Sequence, residues 1–142
     1  MHLIHRLVSE RSQRPEAQQI KLVVERALFL KRRWRGVAED GAEFGFDLES
    51  RLADGCVIFQ KEEVDYVIQQ LPELVYEVLI DSLQFAVLVG WKIGNLHFPV
   101  QILEGLVRVV HDPAIHQLLE REGWAFREAT VIFNPLRVMP HA

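Results

Sequence analysis

The sequence predicts an α+β protein, with an all-β first half followed by a second half in which strands and helices alternate. Short apolar runs broken by turn residues fill the chain up to about residue 70. After Leu71-Pro72 the pattern changes to strands alternating with helical segments. The hydrophobic content of 49%, against 25% charged residues, is typical of a folded globular chain. We therefore expect two domains, covering residues 1–71 and 72–142.

Turn signals divide the first half into strands. Residues 20–30 are rich in β-branched and aliphatic side chains and predict a strand. Asp40-Gly41 is a hairpin-type turn, and the alternation of polar and apolar residues over 43–48 predicts the strand that follows it. Asp54-Gly55 is a second turn, directly before an apolar run at 57–59. Together these signals predict a β-rich domain.

The second half begins with a strand at residues 73–80 and a helix at about 83–93. Asp81-Ser82 supplies side chains that can cap the start of this helix. Gly94-Asn95 suits the left-handed residue that commonly ends one.

Two further strands, at 98–103 and 106–110, meet at a Glu104-Gly105 turn. Asp112-Pro113 then starts a helix that Gly123 stops, and residues 124–133 form a closing strand. The predicted order is β-α-β-β-α-β, which is the ferredoxin-like arrangement.

The helix at 83–93 is apolar almost all round, so one face of a sheet cannot cover it. In a domain of this size the simplest cover is a second copy of the same surface. We therefore predict a two-fold homodimer near this helix.

Composition narrows the classes of function. The net charge is −4, which gives no overall attraction to nucleic acid or to an anionic membrane. Residues 1–6 lack the apolar segment of a signal peptide, and no apolar stretch approaches the length of a membrane span, so we expect a cytoplasmic protein. The lone Cys56 at the head of an apolar run is best explained as a buried strand residue.

The one basic run, at residues 31–35, contains a tryptophan and allows a nucleic-acid patch as an alternative. An isolated run on a β hairpin is more often a solvated face or a docking surface for an acidic partner.

Enzyme motifs are missing from the sequence: we find no phosphate loop, no nucleophile elbow, no dinucleotide fingerprint and no metalloenzyme pair of histidines. We therefore do not expect an enzyme. Of the six histidines, His97 is notable because it follows a predicted helix end and precedes Pro99 by two residues. Near a dimer axis, His97 from each copy could share one metal ion, since imidazole binds nickel, zinc or copper. The alternative is an imidazole that hydrogen-bonds the carbonyls at the helix end.

Two other histidines are weaker candidates for metal ligands. His111, followed by Asp112, could contribute to a secondary site. His141 lies one residue from the end of the sequence, where it could reach a metal ion or simply be solvated.

Several motifs resemble the urease accessory protein UreE family. In the first half the matches are Arg33-Trp34-Arg35-Gly36, Glu39-Asp40-Gly41 and Leu52-Ala53-Asp54-Gly55. In the second half, Gly94-Asn95-Leu96-His97-Phe98-Pro99 is similar to the family's signature, in which Leu/Ile-Gly-Asn-Arg-His is followed by an apolar residue and proline. The resemblance spans roughly residues 20–135, in the correct order.

The resemblance implies a homodimeric nickel metallochaperone. Its first domain would engage partner proteins, including the GTPase of the urease maturation complex, and its second domain would bind metal and dimerise. His97 would bind one nickel ion at the dimer interface, with zinc or copper as possible substitutes in vitro. His111 would match a secondary surface position and His141 the family's tail ligands.

This chain also departs from the family pattern. Lys92 replaces a histidine, Leu96 replaces the arginine, and there is no histidine-rich tail. A second function therefore stays open, namely a UreE-like protein-interaction scaffold that has lost metal transfer.

Overall fold

A computed structural model describes residues 1–137 and confirms the α+β fold class. The chain forms two compact units, one of residues 1–71 and one that begins at Pro72. None of the helices in the described range combines the length and the apolar character that crossing a bilayer requires.

Two three-stranded sheets make up most of the first unit, together with a 3-10 helix at Glu16–Gln18. The elements are β1 (His2–Ile4), β2 (Gln19–Val24), α1 (Arg26–Phe29), β3 (Arg33–Val37), β4 (Glu43–Asp47), β5 (Val57–Lys61) and β6 (Val64–Gln70). One sheet has the order β1-β4-β3 and the other β2-β6-β5, and in each a parallel pair and an antiparallel pair share the central strand.

The strand predicted over residues 20–30 is wrong in its second half. The strand ends at Val24, and α1 follows as a single helical turn. Phe29 on this turn is buried in the core of the unit, which also contains Leu22, Phe44 and Ile68. The aliphatic composition of the segment therefore reflects burial in a turn as well as in a strand.

Cys56 is fully buried, as expected, and burial raises the pKa of its thiol.

The second unit has the predicted β-α-β-β-α-β order. The elements are β7 (Glu73–Leu79), α2 (Leu83–Asn95), β8 (Val100–Leu103), β9 (Leu106–Val110), α3 (Pro113–Glu122) and β10 (Phe126–Val131). The four strands form an antiparallel sheet in the order β10-β7-β9-β8. The buried side chains of both helices, including Val89, Ile93 and Leu119, form one core with Tyr76 and Val109 of the sheet.

The starts of both helices in this unit, and the end of α3, follow the sequence signals closely. The Ser82 hydroxyl accepts a hydrogen bond from the Phe85 backbone N–H at the start of α2 (3.1 Å). The Asp112 carboxylate does the same for Ala114 at the start of α3 (2.9 Å). Gly123 ends α3 in the left-handed region, at φ 67°.

A buried carboxylate ties three strands of the sheet together. Glu77 on β7 lies directly opposite Arg108 on β9 and Arg127 on β10. Its oxygens accept hydrogen bonds from Arg108 Nε (2.7 Å) and Arg127 Nε (2.8 Å). The hydrogen bond from Arg108, followed by that from Arg127, holds the pKa of Glu77 below its ordinary value despite burial.

We expect Glu77→Gln to lower the free energy of unfolding by roughly 2 kcal/mol near neutral pH, because it weakens two charge-assisted hydrogen bonds. Because the pKa of Glu77 is lower in the folded state than in the unfolded state, its ionised carboxylate stabilises the fold at a pH above the unfolded pKa, near 4.5. This stabilisation is lost as the pH falls through the folded pKa. Urea denaturation over a range of pH should show a larger acid-dependent loss of stability in the wild type than in the variant, which keeps Asp40, Asp47 and Asp65 with their lowered pKa values. Glu104→Gln, which removes an exposed carboxylate from the same unit, is the control and should leave the profile unchanged. Superimposable profiles for Glu77→Gln and the wild type would contradict the expectation.

Candidate metal-binding site

His97 lies at the point where the chain leaves α2 and turns towards β8. The helix continues through Asn95, and the backbone N–H groups of Leu96 and His97 donate to the carbonyls of Ile93 and Gly94 (both 3.0 Å). His97 itself has φ 61°, in the left-handed region. Its side chain is exposed.

The sequence had placed the left-handed residue at Gly94-Asn95, and this is wrong. Both residues remain helical, and the reversal falls on His97. Helix propensity disfavours glycine by only about 1 kcal/mol, so the fully buried Ile93 and the closing hydrogen bonds can keep the helix intact past Gly94. An L-residue in this conformation normally costs energy that glycine would avoid, and such strain is concentrated at functional sites.

The imidazole of His97 makes no hydrogen bond within residues 1–137. The alternative from the sequence, an imidazole that caps the helix-end carbonyls, is therefore not what the structure shows. Those carbonyls are satisfied by backbone N–H groups instead. Both ring nitrogens of His97 are free of protein partners in the described structure, so either one is open to a metal ion.

Next to His97, α2 carries an exposed apolar stripe. Leu83, Val87 and Trp91 follow one another at four-residue intervals and are 80%, 65% and 63% exposed. Val89 and Ile93 on the opposite side are fully buried against the sheet. The helix is therefore apolar on both faces, as the sequence predicted, and only one of them is covered within the chain.

Lys92 stands where the family pattern has a histidine. Its Nζ donates to the Glu122 Oε1 on α3, and both side chains are partly buried. The ammonium therefore links α2 to α3 and is not a candidate ligand. At this position the chain therefore has an ion pair between two helices in place of the histidine of the family pattern.

His111 lies at the start of α3. Its Nε2 is 3.0 Å from the Glu128 Oε1, and its ring stacks on Tyr76 with centroids 4.5 Å apart. Burial, followed by the charge of Glu128, raises the pKa of the Tyr76 hydroxyl, so the phenol stays neutral. Asp112, which the sequence offered as a second ligand beside His111, is occupied as the N-cap of α3.

His141 lies outside the described residues. The nearby described segment crosses back towards the strand that follows His97. The Asn134 N–H donates to the Gln101 Oε1 (3.1 Å), and the Leu136 N–H donates to the Val100 carbonyl (2.7 Å). Leu136 is therefore hydrogen-bonded to Val100, a residue that lies only three positions after His97 in the sequence.

No group of three or more His, Cys, Asp or Glu side chains is arranged to hold a metal ion within residues 1–137. A single described chain thus offers His97 as an isolated exposed imidazole and His111 as a second one engaged with a carboxylate. Any ion held tightly at His97 needs ligands from elsewhere.

Comparisons with known proteins agree with this architecture. A family model described as UreE urease accessory protein, C-terminal domain, matches residues 73–140. A urease accessory protein UreE from Bacillus cereus is 29% identical over 124 residues, covering 85% of this chain and 82% of the relative. One from a Chelativorans species is 31% identical over 109 residues (74% and 68%), and one from Pseudomonas putida is 29% identical over 138 residues (95% and 81%).

The fold and these matches define the class of protein as a non-enzymatic accessory protein of urease. Within that class, the chain belongs to the UreE family. The resemblance found in the sequence is therefore confirmed.

The strained backbone at His97 leads to a stability prediction. His97→Gly should raise the free energy of unfolding by about 1 kcal/mol, because glycine adopts positive φ without the steric cost. His97→Ala keeps that cost and should not stabilise the protein. Urea denaturation followed by tryptophan fluorescence measures both.

A matched control is Glu62→Gly, since Glu62 is the other non-glycine residue with positive φ in the described chain (55°). It should stabilise the protein in the same direction. Equal stability of the glycine and alanine variants at His97 would show that the position carries no strain.

Proposed function

We propose that this protein is a nickel metallochaperone that assists assembly of the urease active site. Membership of the UreE family supports a role in urease maturation and in metal handling. The observation that carries the proposal is the exposed His97 imidazole, which has no hydrogen-bond partner within residues 1–137 and is held at positive φ where glycine would cost less. A histidine kept at such a position is best explained by what its side chain binds.

The proposed site is shared between two copies of the chain. The exposed stripe of Leu83, Val87 and Trp91 is too apolar to favour contact with water and offers a self-complementary surface for a two-fold dimer. Trp91 lies on α2 and His97 lies just after its end, so dimerisation through the stripe would bring two His97 side chains towards one axis. One nickel ion per dimer would then bind two imidazoles and keep open positions for release.

His111 and His141 are proposed as supplementary ligands. His111 keeps one ring nitrogen beyond its contact with Glu128, which suits a weak surface site. His141 lies five residues beyond Leu136, a span of up to roughly 17 Å for an extended chain, so it can approach the region of His97. Zinc or copper would compete for the same imidazoles in vitro.

The two units would have different functions. We assign metal binding and dimerisation to the second unit, and binding of partners in the urease maturation complex, including its GTPase, to the first. A cytoplasmic location fits this role. Nucleic acid and membrane are not proposed as partners, because the net charge is −4.

A second candidate function is a UreE-like scaffold that has lost metal transfer. The ion pair of Lys92 with Glu122 favours it, because the side chain at a position where the family pattern has a ligand is engaged in structure. This candidate predicts complex formation with the maturation GTPase without nickel binding at physiological concentration.

Isothermal titration with nickel distinguishes the two functions. The metallochaperone should bind about one ion per dimer, and His97→Ala should lose this site, since removing the imidazoles removes the ligands. Binding should weaken in acid, because protonated imidazole cannot bind metal. The matched control is His116→Ala, which removes an exposed imidazole that lies 3.4 Å from the Glu120 carboxylate. Unchanged binding in His97→Ala, or none in the wild type, would refute the metallochaperone.

The dimer surface has its own test. Trp91→Glu places a charge in the exposed stripe and should convert the dimer to a monomer in light scattering at micromolar concentration. Leu30→Glu, at a residue of the first unit that is also about 60% exposed, is the control and should leave the dimer intact. A wild-type monomer, or dissociation by the control alone, would exclude dimerisation through α2.

A further inference from the structure

The outer face of the sheet β1-β4-β3 carries a depression of about 390 Å³. Strand register places Leu3 on β1 and Arg35 on β3 on either side of Gly45 on β4. Because side chains alternate across a strand, Met1 and Arg33 lie on this same face. The volume falls within the range of ligand pockets, roughly 300–1,000 Å³.

Gly45 is buried. A Cβ at this position would lie 3.3 Å from the Leu3 Cδ2 and 3.3 Å from the Met1 Sδ, so these two side chains already cover the glycine. Leu3 and Met1 are 68% and 64% exposed although they are apolar. This side of the depression is therefore an open aliphatic wall.

The opposite side is positively charged. Arg32 Nε and Arg33 Nε lie 3.0 and 3.4 Å from the same oxygen of Asp47, so one carboxylate serves two guanidinium groups. Arg35 has no ion-pair partner within the described residues. Arg32 and Arg33 thus share one carboxylate, and Arg35 on the same face adds a further positive charge beside the aliphatic wall.

The pKa of Asp47 reflects this surplus. Burial raises it, but the hydrogen bonds and charges of Arg33 and Arg32 together outweigh burial and hold it below the ordinary value. Asp47 therefore stays ionised and fixes the two arginines in place, while Arg35 stays available. Glu43, the other acidic residue of β4, pairs with Val37 at the far end of the strand.

We propose that this face binds an acidic segment of a partner protein, which packs one apolar side chain against Met1 and Leu3 and places its carboxylates on Arg33 and Arg35. Guanidinium groups bind carboxylates through paired, charge-assisted hydrogen bonds. The aliphatic wall beside them favours a peptide over a nucleic acid, which has no aliphatic side chain to offer. The inference rests on the partner-binding role proposed for the first unit and adds its surface and the chemistry of its partner.

Fluorescence anisotropy on the full chain tests this inference. The probe is a short fluorescein-labelled peptide in which glutamates surround a single phenylalanine. The wild type should bind it with an affinity that falls with salt, and the double variant Arg33→Glu/Arg35→Glu should bind at least about tenfold more weakly. Leu3→Ala should also weaken binding, through loss of the aliphatic wall.

The matched control is Arg11→Glu/Arg51→Glu, which changes the net charge equally at two exposed arginines outside the depression. It should bind the probe as the wild type does. Equal weakening by this control, absence of binding in the wild type, or stronger binding of a single-stranded oligonucleotide at the same arginines would each overturn the proposal. Circular dichroism confirms that the variants fold, and nickel titration of the Arg33→Glu/Arg35→Glu protein separates failure here from failure of the metal site.

Discussion

The packing of α2 against the sheet of the second unit is the constraint on which the proposed metal site depends. Val89 and Ile93 are fully buried, which fixes the rotation of the helix about its axis. The chain must then reverse after Asn95 to reach β8, and His97 adopts the left-handed conformation at that reversal. The same rotation turns Leu83, Val87 and Trp91 away from the core. One packing arrangement thus exposes both the candidate ligand and the candidate dimer surface.

Much of the second unit could be predicted because its signals are local. Asp112, Pro113 and Gly123 define α3 through capping chemistry that involves only neighbouring residues. The end of α2 could not be predicted in the same way. Gly94 and Asn95 both tolerate left-handed backbone, and only the structure shows that the helix continues past Gly94 and is closed by the N–H groups of Leu96 and His97.

Long-range features of the first unit could not be predicted from the sequence. The depression depends on Leu3 and Arg35 lying on either side of Gly45, and these residues are far apart in the chain. The basic run at 31–35 did suggest a docking surface for an acidic partner. The structure adds the aliphatic wall of Met1 and Leu3, which no local pattern indicates. The helical turn at Arg26–Phe29 escaped prediction for a similar reason, since Phe29 is buried through contacts with distant strands.

The small number of ligands fits delivery better than storage. Lys92 is engaged with Glu122, and His111 with Glu128, so of these three positions only His97 has a side chain without a hydrogen-bond partner within residues 1–137. A site built from one imidazole per chain depends on the second copy, and an incomplete coordination sphere allows the ion to leave. The most direct measurement is native mass spectrometry of the nickel-loaded protein. The shared site predicts a species of two chains with one nickel ion, which His97→Ala converts to a metal-free dimer. Nickel bound to single wild-type chains, or retained by the His97→Ala dimer, would contradict it.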